Sequence, residues 1–232
     1  MKIALLGYGR MGQAIEKIAL ERGHDIVIRK DIEPLEVDLS LADVAIDFSH
    51  PDAAFDNIKS CIDEGVPVVS GTTGWLDKYD EIKDYCIKKE GGFIYASNYS
   101  IGVNLFFNLN AYLAKMMRPI SEYNVEMEEI HHVHKLDAPS GTAISLANDI
   151  LSESDKQKWS IETKEKEDLF ISVKREGEVP GTHAVTYSSG IDSIEIKHTA
   201  FNRTGFALGA VVAAEWLEEK KGIYSMKDVL GL

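Results

Sequence analysis

The sequence predicts an α/β protein: a doubly wound parallel sheet followed by a second α+β domain with a mixed or antiparallel sheet. Three observations carry this. Short apolar runs alternate with helical patterns as far as residue 100. A glycine-rich turn separates the first run from the first helix. After Pro119 the alternation stops and strand-like segments dominate.

Lys2 to Leu6 is an apolar run that leads straight into Gly7-Tyr8-Gly9-Arg10-Met11-Gly12. The segment to Arg22 then carries Ile15, Ile18 and Ala19 at helical spacing, with Gly23 as its stop. Strand, glycine turn and helix in this order make a Rossmann-type dinucleotide cradle. The first glycine permits the tight turn, the second lets the backbone approach a pyrophosphate, and the third lets helix and strand pack closely. The helix start adds free N–H groups and the positive end of its dipole. Asp25 to Ile28 is the second strand, and Asp31 stands about twenty residues past the turn, where an acid accepts from a ribose 2′-hydroxyl. Arg29 and Lys30 beside it offer charge to a 2′-phosphate, so the expected cofactor is NADH and/or NADPH.

Val44 to Phe48 is a buried-strand run, a helix begins near Pro51 and runs to Glu64, and Val66 to Ser70 repeats the strand pattern. That strand ends in Gly71-Thr72-Thr73-Gly74, and Phe93 to Ala96 ends in Ser97-Asn98-Tyr99-Ser100. Ligands of doubly wound sheets bind outside the carboxyl ends of the strands, so both turns are candidates for the nicotinamide carboxamide. Small polar turns of this kind also occur simply as turns. Asn104 to Met117 reads as an apolar helix ended by Pro119. The expected division is a dinucleotide-binding domain over 1–100, completed by 205–232, and a substrate-binding and oligomerisation domain over 101–204. Within the tail, Phe206 to Glu219 has helical periodicity and is expected to pack back on the first domain.

The densest reactive stretch is Glu126 to Thr142, EMEEIHHVHKLDAPSGT. A strand starting at Tyr123 leads into His131-His132-Val133-His134-Lys135. His132 and His134 would share a face if that strand continued, which keeps a metal reading open, although Lys135 places a cation beside it. One catalytic or binding histidine fits better. Ser140-Gly141-Thr142 opens the periodic segment AISLANDIL, so it lies at a helix start, an anion site with two hydroxyls. Ser140 is equally an ordinary N-cap residue. Downstream, Lys156 to Asp168 reads as a charged surface excursion, and Leu169 to Arg175, Ala184 to Ser188 and Ile194 to Ala200 as an antiparallel meander. Arg203 is a further candidate cation for the cofactor site.

Bulk properties narrow the function. A net charge of -13 and a pI near 5.0 argue against nucleic-acid partners. An anionic substrate must then be held by local cations. Cys61 and Cys86 lack C-x-x-C spacing and suit reduced thiols in a cytoplasm. The start, MKIALLGYG, has no small-residue cleavage pattern, and Phe206 to Leu217 is too short for a membrane span and contains Glu215.

With these residues in place the chain resembles the 4-hydroxy-tetrahydrodipicolinate reductase (dihydrodipicolinate reductase) family of lysine and diaminopimelate biosynthesis. The resemblance rests on GYGRMG at 7–12, GTTG at 71–74, ASNYSIGVN at 96–104, EIHHVHKLDAPSGTA at 129–143 and FNRTGFALGA at 201–210. It implies that Gly7, Tyr8, Gly9, Arg10 and Met11 lie on the dinucleotide phosphates. Gly71, Thr72 and Thr73, with Ala96, Ser97, Asn98 and Tyr99, hold the nicotinamide end. It also implies His131 and Lys135 as the catalytic acid residues, and His132, Gly141 and Thr142 as binders of substrate carboxylate, to which Ser140 is added from its place in the same turn. The implied reaction is hydride transfer to a cyclic imine dicarboxylate with loss of water from the 4-hydroxy form, in a cytoplasmic homotetramer. Three departures stand out. The glycine turn is one residue shorter than the common form, Gly181-Thr182-His183 replaces a usual Gly-Glu-His, and Leu208 replaces a common Asn.

Overall fold

β1 (Lys2–Leu6) is buried from Ile3 onward, as a central parallel strand covered on both faces must be. It enters α1 (Arg10–Glu21), whose buried residues Gly12, Ile15 and Ala19 recur at spacings of three and four. The alternation continues through β2 (Asp25–Lys30), β3 (Val44–Asp47), α2 (Pro51–Asp63), β4 (Val68–Ser70), α3 (Tyr79–Lys88) and β5 (Gly92–Tyr95). Next come α4 (Ile101–Met117), β6 (Asn124–His131), α5 (Gly141–Glu153), β7 (Lys158–Ser160), β8 (Asp168–Arg175), β9 (Gly181–Ser188) and β10 (Ser193–Ala200). The chain closes with α6 (Thr204–Leu217), β11 (Gly222–Tyr224) and α7 (Met226–Leu230). The computed structural model describes residues 1–31 and 37–232. It forms two compact units, Met1–Ile101 with Thr204–Leu232, and Gly102–Arg203.

In the first unit the six strands lie in the order β11-β5-β4-β3-β1-β2, and every neighbouring pair is parallel. β1 has β2 on one side and β3 on the other, so the winding reverses between β1 and β3. A crevice opens there at the carboxyl ends of the strands. One face of the sheet is covered by α1 and α6 through Ile15, Ala19, Ala210, Val211 and Ala214. The other is covered by α2 and α3 through Ile58, Ile62, Ile82 and Cys86. The alanine and glycine content of α6 permits very close approach: a Cβ on Gly209 would lie 1.7 Å from the carbonyl oxygen of Tyr99.

The second unit holds a mixed sheet in the order β10-β9-β6-β8-β7. Here the expected antiparallel meander is corrected. β6 lies between β8 and β9, antiparallel to β9 and parallel to β8, with Glu126 opposite both Thr186 and Phe170. A parallel pair needs a crossover, and α5 supplies it between β6 and β8. Alternation identifies strands but not their neighbours, which is why sequence proximity misled. The charged excursion is corrected too: β7 lies inside it, with Trp159 paired to Leu169. α4 and α5 cover one face of this sheet through Phe106, Leu113, Leu146 and Ile150, against Ile171 and Val185.

Candidate functional site

The crevice of the first unit encloses about 800 Å³, and its walls include Gly7, Gly9, Lys30, Asp31, Phe48 and His50. The three glycines have separate physical reasons. Gly7 has φ +96°, and a Cβ there would lie 2.1 Å from the carbonyl oxygen of Phe48. A Cβ on Gly12 would lie 2.3 Å from the oxygen of Gly7, so α1 could not approach the turn. Around Gly9 nothing lies within 4 Å of a Cβ, so its bareness serves whatever fills the crevice. Gly9 is also the N-cap of α1 and makes no side-chain cap, which leaves the first-turn N–H groups of Arg10 and Met11 as donors. A pyrophosphate fits these features.

Other cofactor candidates divide by what their side chains already hold. The Tyr8 hydroxyl donates to Glu16, and Arg29 Nε donates to the same carboxylate at 3.0 Å. Tyr8 can therefore meet a phosphate through its backbone, and Arg29 is engaged away from the crevice wall. Lys30 and Asp31 remain on that wall, with Lys30 Nζ donating to Asn57 Oδ1 at 2.9 Å. Residues 32–36 lie outside the described residues.

The Gly71–Gly74 turn is organised by Asp47, a residue the sequence reading passed over. This fully buried carboxylate accepts from Ser49 Oγ at 2.6 Å, Thr72 Oγ1 at 2.8 Å, Ser70 Oγ at 2.9 Å and Asn57 Nδ2 at 3.1 Å. Burial raises its pKa, and the donors oppose that shift. The Thr72 hydroxyl is thus committed inward, and so is the Tyr99 hydroxyl, which donates to Ser70 O at 2.8 Å. Both hydroxyls brace the turn from inside, and the backbone groups of these residues stay available at this edge. Gly71, a tight neighbour of the Phe48 ring, exposed Thr73 and Ser97, and half-buried Ala96 and Asn98 complete this edge.

In the second unit β6 presents Val125, Met127, Glu129 and His131 to the interior in strict alternation. The strand ends at His131, so His132 and His134 do not share a strand face. Their rings are 6.1 Å apart, and exposed His134 meets Glu178 at 3.4 Å. The premise of the metal reading fails. Lys135 Nζ sits 2.8 Å from both carboxylate oxygens of Asp137, and it holds that acid below its ordinary range. α5 begins at Gly141 with Ser140 as N-cap.

Ser140 is held on three sides. Its Oγ accepts from Ala143 N at 3.2 Å and lies 3.0 Å from His183 Nε2, while its N–H donates to Glu129 Oε2 at 2.9 Å. The residue is 3% exposed, and its hydroxyl caps the helix. Exposed Gly141 and half-buried Thr142 keep first-turn N–H groups without intrahelical partners. Arg203 lies exposed between β10 and α6.

Behind the histidines is a buried cluster that sequence reasoning missed. Glu129, His131 and His183 bring ligand-type atoms within 4.8 Å of one another. Arg175 Nη1 already stands 3.2 Å from Glu129 Oε1, which puts a cation where a metal would have to compete. Burial pushes His183 down to about 4 and holds His131 below the ordinary imidazole range, so both are neutral near pH 7. Glu129 was legible in one respect: a carboxylate falls on the apolar phase of an alternating strand.

Two family models match, dihydrodipicolinate reductase N-terminus over residues 1–99 and dihydrodipicolinate reductase C-terminus over residues 102–230. The chain belongs to the dihydrodipicolinate reductase family. A 4-hydroxy-tetrahydrodipicolinate reductase of Christiangramia forsetii is 57% identical, covering 99% of this chain and 98% of its own. One of Methanoregula boonei is 35% identical, covering 100% of this chain and 98% of its own. Among solved structures, a dipicolinate-bound dihydrodipicolinate reductase from Paenisporosarcina sp. TG-14 superposes with a TM-score of 0.80. It is 23% identical and covers 97% of each chain, a likeness of fold. Family membership makes the chain an oxidoreductase whose first unit is a Rossmann-type domain for NADH or NADPH.

Proposed function

We infer that the chain reduces 4-hydroxy-tetrahydrodipicolinate to tetrahydrodipicolinate with NAD(P)H, and that the segment from His131 to Thr142 is where the substrate is held and protonated. The observation that carries this reading is the grouping of His131, His132, Lys135 and the bare start of α5 around one loop, in a chain of this family. When bound, the cofactor supplies the hydride. The residues of the chain do the rest. Gly7, Gly9, Arg10, Met11 and Gly12 hold the pyrophosphate, Asp31 takes a ribose hydroxyl, and the 71–73 and 96–99 backbone orients the nicotinamide, with Arg203 as an added cation. Lys135 protonates the substrate as electron density arrives and His131 assists as acid or hydrogen-bond partner, while His132, Gly141 and Thr142 hold carboxylate oxygens. A dicarboxylate substrate is supported by the dipicolinate held by the solved relative.

We place the enzyme in the cytoplasm as a homotetramer. The two buried thiols suit a reducing compartment, and no helix among the described residues is long and apolar enough to cross a membrane. Association is supported by edge strand β10 and the exposed Ile191, Ile194 and Phe201 beside or within it.

The test is to follow NADH and NADPH absorbance separately with enzymatically generated substrate; oxidation of neither would overturn the reading. Lys135→Ala is expected to lower kcat by about 10²- to 10⁴-fold, and His132→Ala mainly to raise KM. Normal turnover in Lys135→Ala would remove the lysine from the mechanism.

A further inference from the structure

The buried carboxylate of Glu129 lies among Ser140, Arg175, His131 and His183, and no step assigned above uses it. One oxygen accepts the N–H of Ser140, the residue that starts α5, and the other faces Arg175 Nη1 at 3.2 Å. His131 Nδ1 and His183 Nε2 each lie 3.8 Å from Oε2. His131 is 7% exposed, and its Nδ1 is buried without a hydrogen-bond partner. A buried, unpartnered imidazole nitrogen beside a fully buried carboxylate is a costly arrangement for folding alone. It becomes intelligible if the contact closes when His131 gains a proton, because Nδ1–H would then have a charged acceptor facing it.

We propose that Glu129 is a positioning residue: it ties the anion-holding start of α5 to the strand that carries His131, and it stands ready to take the Nδ1 proton of His131 as a hydrogen bond during turnover. His183 completes the device. Ser140 Oγ accepts from Ala143 N–H and shares a hydrogen bond with His183 Nε2 at 3.0 Å, so the cap is held from both sides. The groups that face His131 come from several elements: Glu129 on its own strand, His183 on β9, Arg175 on β8, and His132 and Lys135 in the following loop. Of these only Glu129 favours the protonated ring; Lys135, Arg175 and His132 oppose it.

The inference rests on His131 as the assisting acid, and its test separates the two. Glu129→Gln keeps the reach to Ser140 N–H but removes the charge. The imidazole signal of His131 in an NMR titration of the holoenzyme should then move its midpoint down by about 0.5 pH unit or more. kcat should fall about tenfold with the KM for NADH unchanged. Glu129→Asp keeps the charge but shortens the reach, and is expected to raise the KM for substrate more than it lowers kcat. Should Glu129→Gln fail to fold, Arg175→Met removes an opposing cation and should move the His131 midpoint up. An unmoved midpoint in the variant that folds, or a lower melting temperature with wild-type kcat, KM and pH profile, overturns the proposal. A shifted midpoint in a protein that oxidises neither cofactor would instead overturn the functional reading and leave the positioning intact.

Discussion

Asp137 holds the Lys135 ammonium that is proposed to meet the substrate, and the competition between the two has a measurable size. That ammonium is held at 2.8 Å by both oxygens of Asp137, an acid whose side chain is 64% exposed. An ion pair this open to water is worth about 0.2 to 1 kcal/mol, and tenfold in an equilibrium corresponds to about 1.4 kcal/mol. Releasing Lys135 by Asp137→Asn is therefore expected to lower the KM for substrate by up to about fivefold, with little change in kcat. The substitution spares the backbone contact nearby, in which Arg175 Nη2 donates to the carbonyl of Asp137 at 2.7 Å. Initial rates of NADH oxidation against substrate concentration measure the effect. Added salt should narrow the difference between the two proteins, because the pair it weakens is solvent-facing. A KM that stays put or rises would refute the competition and make Asp137 a guide for the lysine.

Two further outcomes test the first unit. Gly209→Ala places a methyl 1.7 Å from the Tyr99 carbonyl, so α6 must back away from the 96–99 segment. The cost is about 1 to 3 kcal/mol, or roughly 2 to 12 °C in melting temperature, with weaker NADH binding; unchanged values would show that the loop yields freely. Glu215 ties α6 to the end of α1, accepting Arg22 Nε and Nη2 at 2.7 Å each, with His24 Nε2 also at 2.7 Å. Arg22 first, then His24, lower its pKa below the ordinary 4.5. This contribution is present above pH 4.5 and is lost as pH falls through the depressed folded value. Wild type should exceed Glu215→Gln by about 0.5 to 1 kcal/mol at pH 7 and converge with it in acid; a gap that persists at low pH would assign the effect to packing.

What was legible in the sequence was whatever a local pattern could carry. Gly7-Tyr8-Gly9 after an apolar run, Gly23 after a helix and Ser140 before one each encode their structure within a few residues. The pairing of β6 with β8 was not legible, because it is decided across a crossover and both strands alternate alike. The same limit applies at the site. Tyr99, Thr72 and Ser140 look like ligand contacts because their hydroxyls stand in loops, yet Ser70, Asp47 and His183, distant in sequence, turn those hydroxyls inward. Glu129 and Asp47 were hidden for the complementary reason. Asp47 ends an apolar run and Glu129 falls on the apolar phase of an alternating strand, and only the assembled sheet shows what surrounds each.

The sheet of the first unit is finished only after the whole second unit has been made. α6 covers one of its faces and β11 forms its edge, and both follow the whole second unit in the chain. On a ribosome, the second unit therefore emerges before α6 is made, and the first hundred residues must wait with the face that holds Ile3, Leu5 and Val44 covered by α1 alone. A chain released before α6 is made would leave one face of that sheet without its second covering helix.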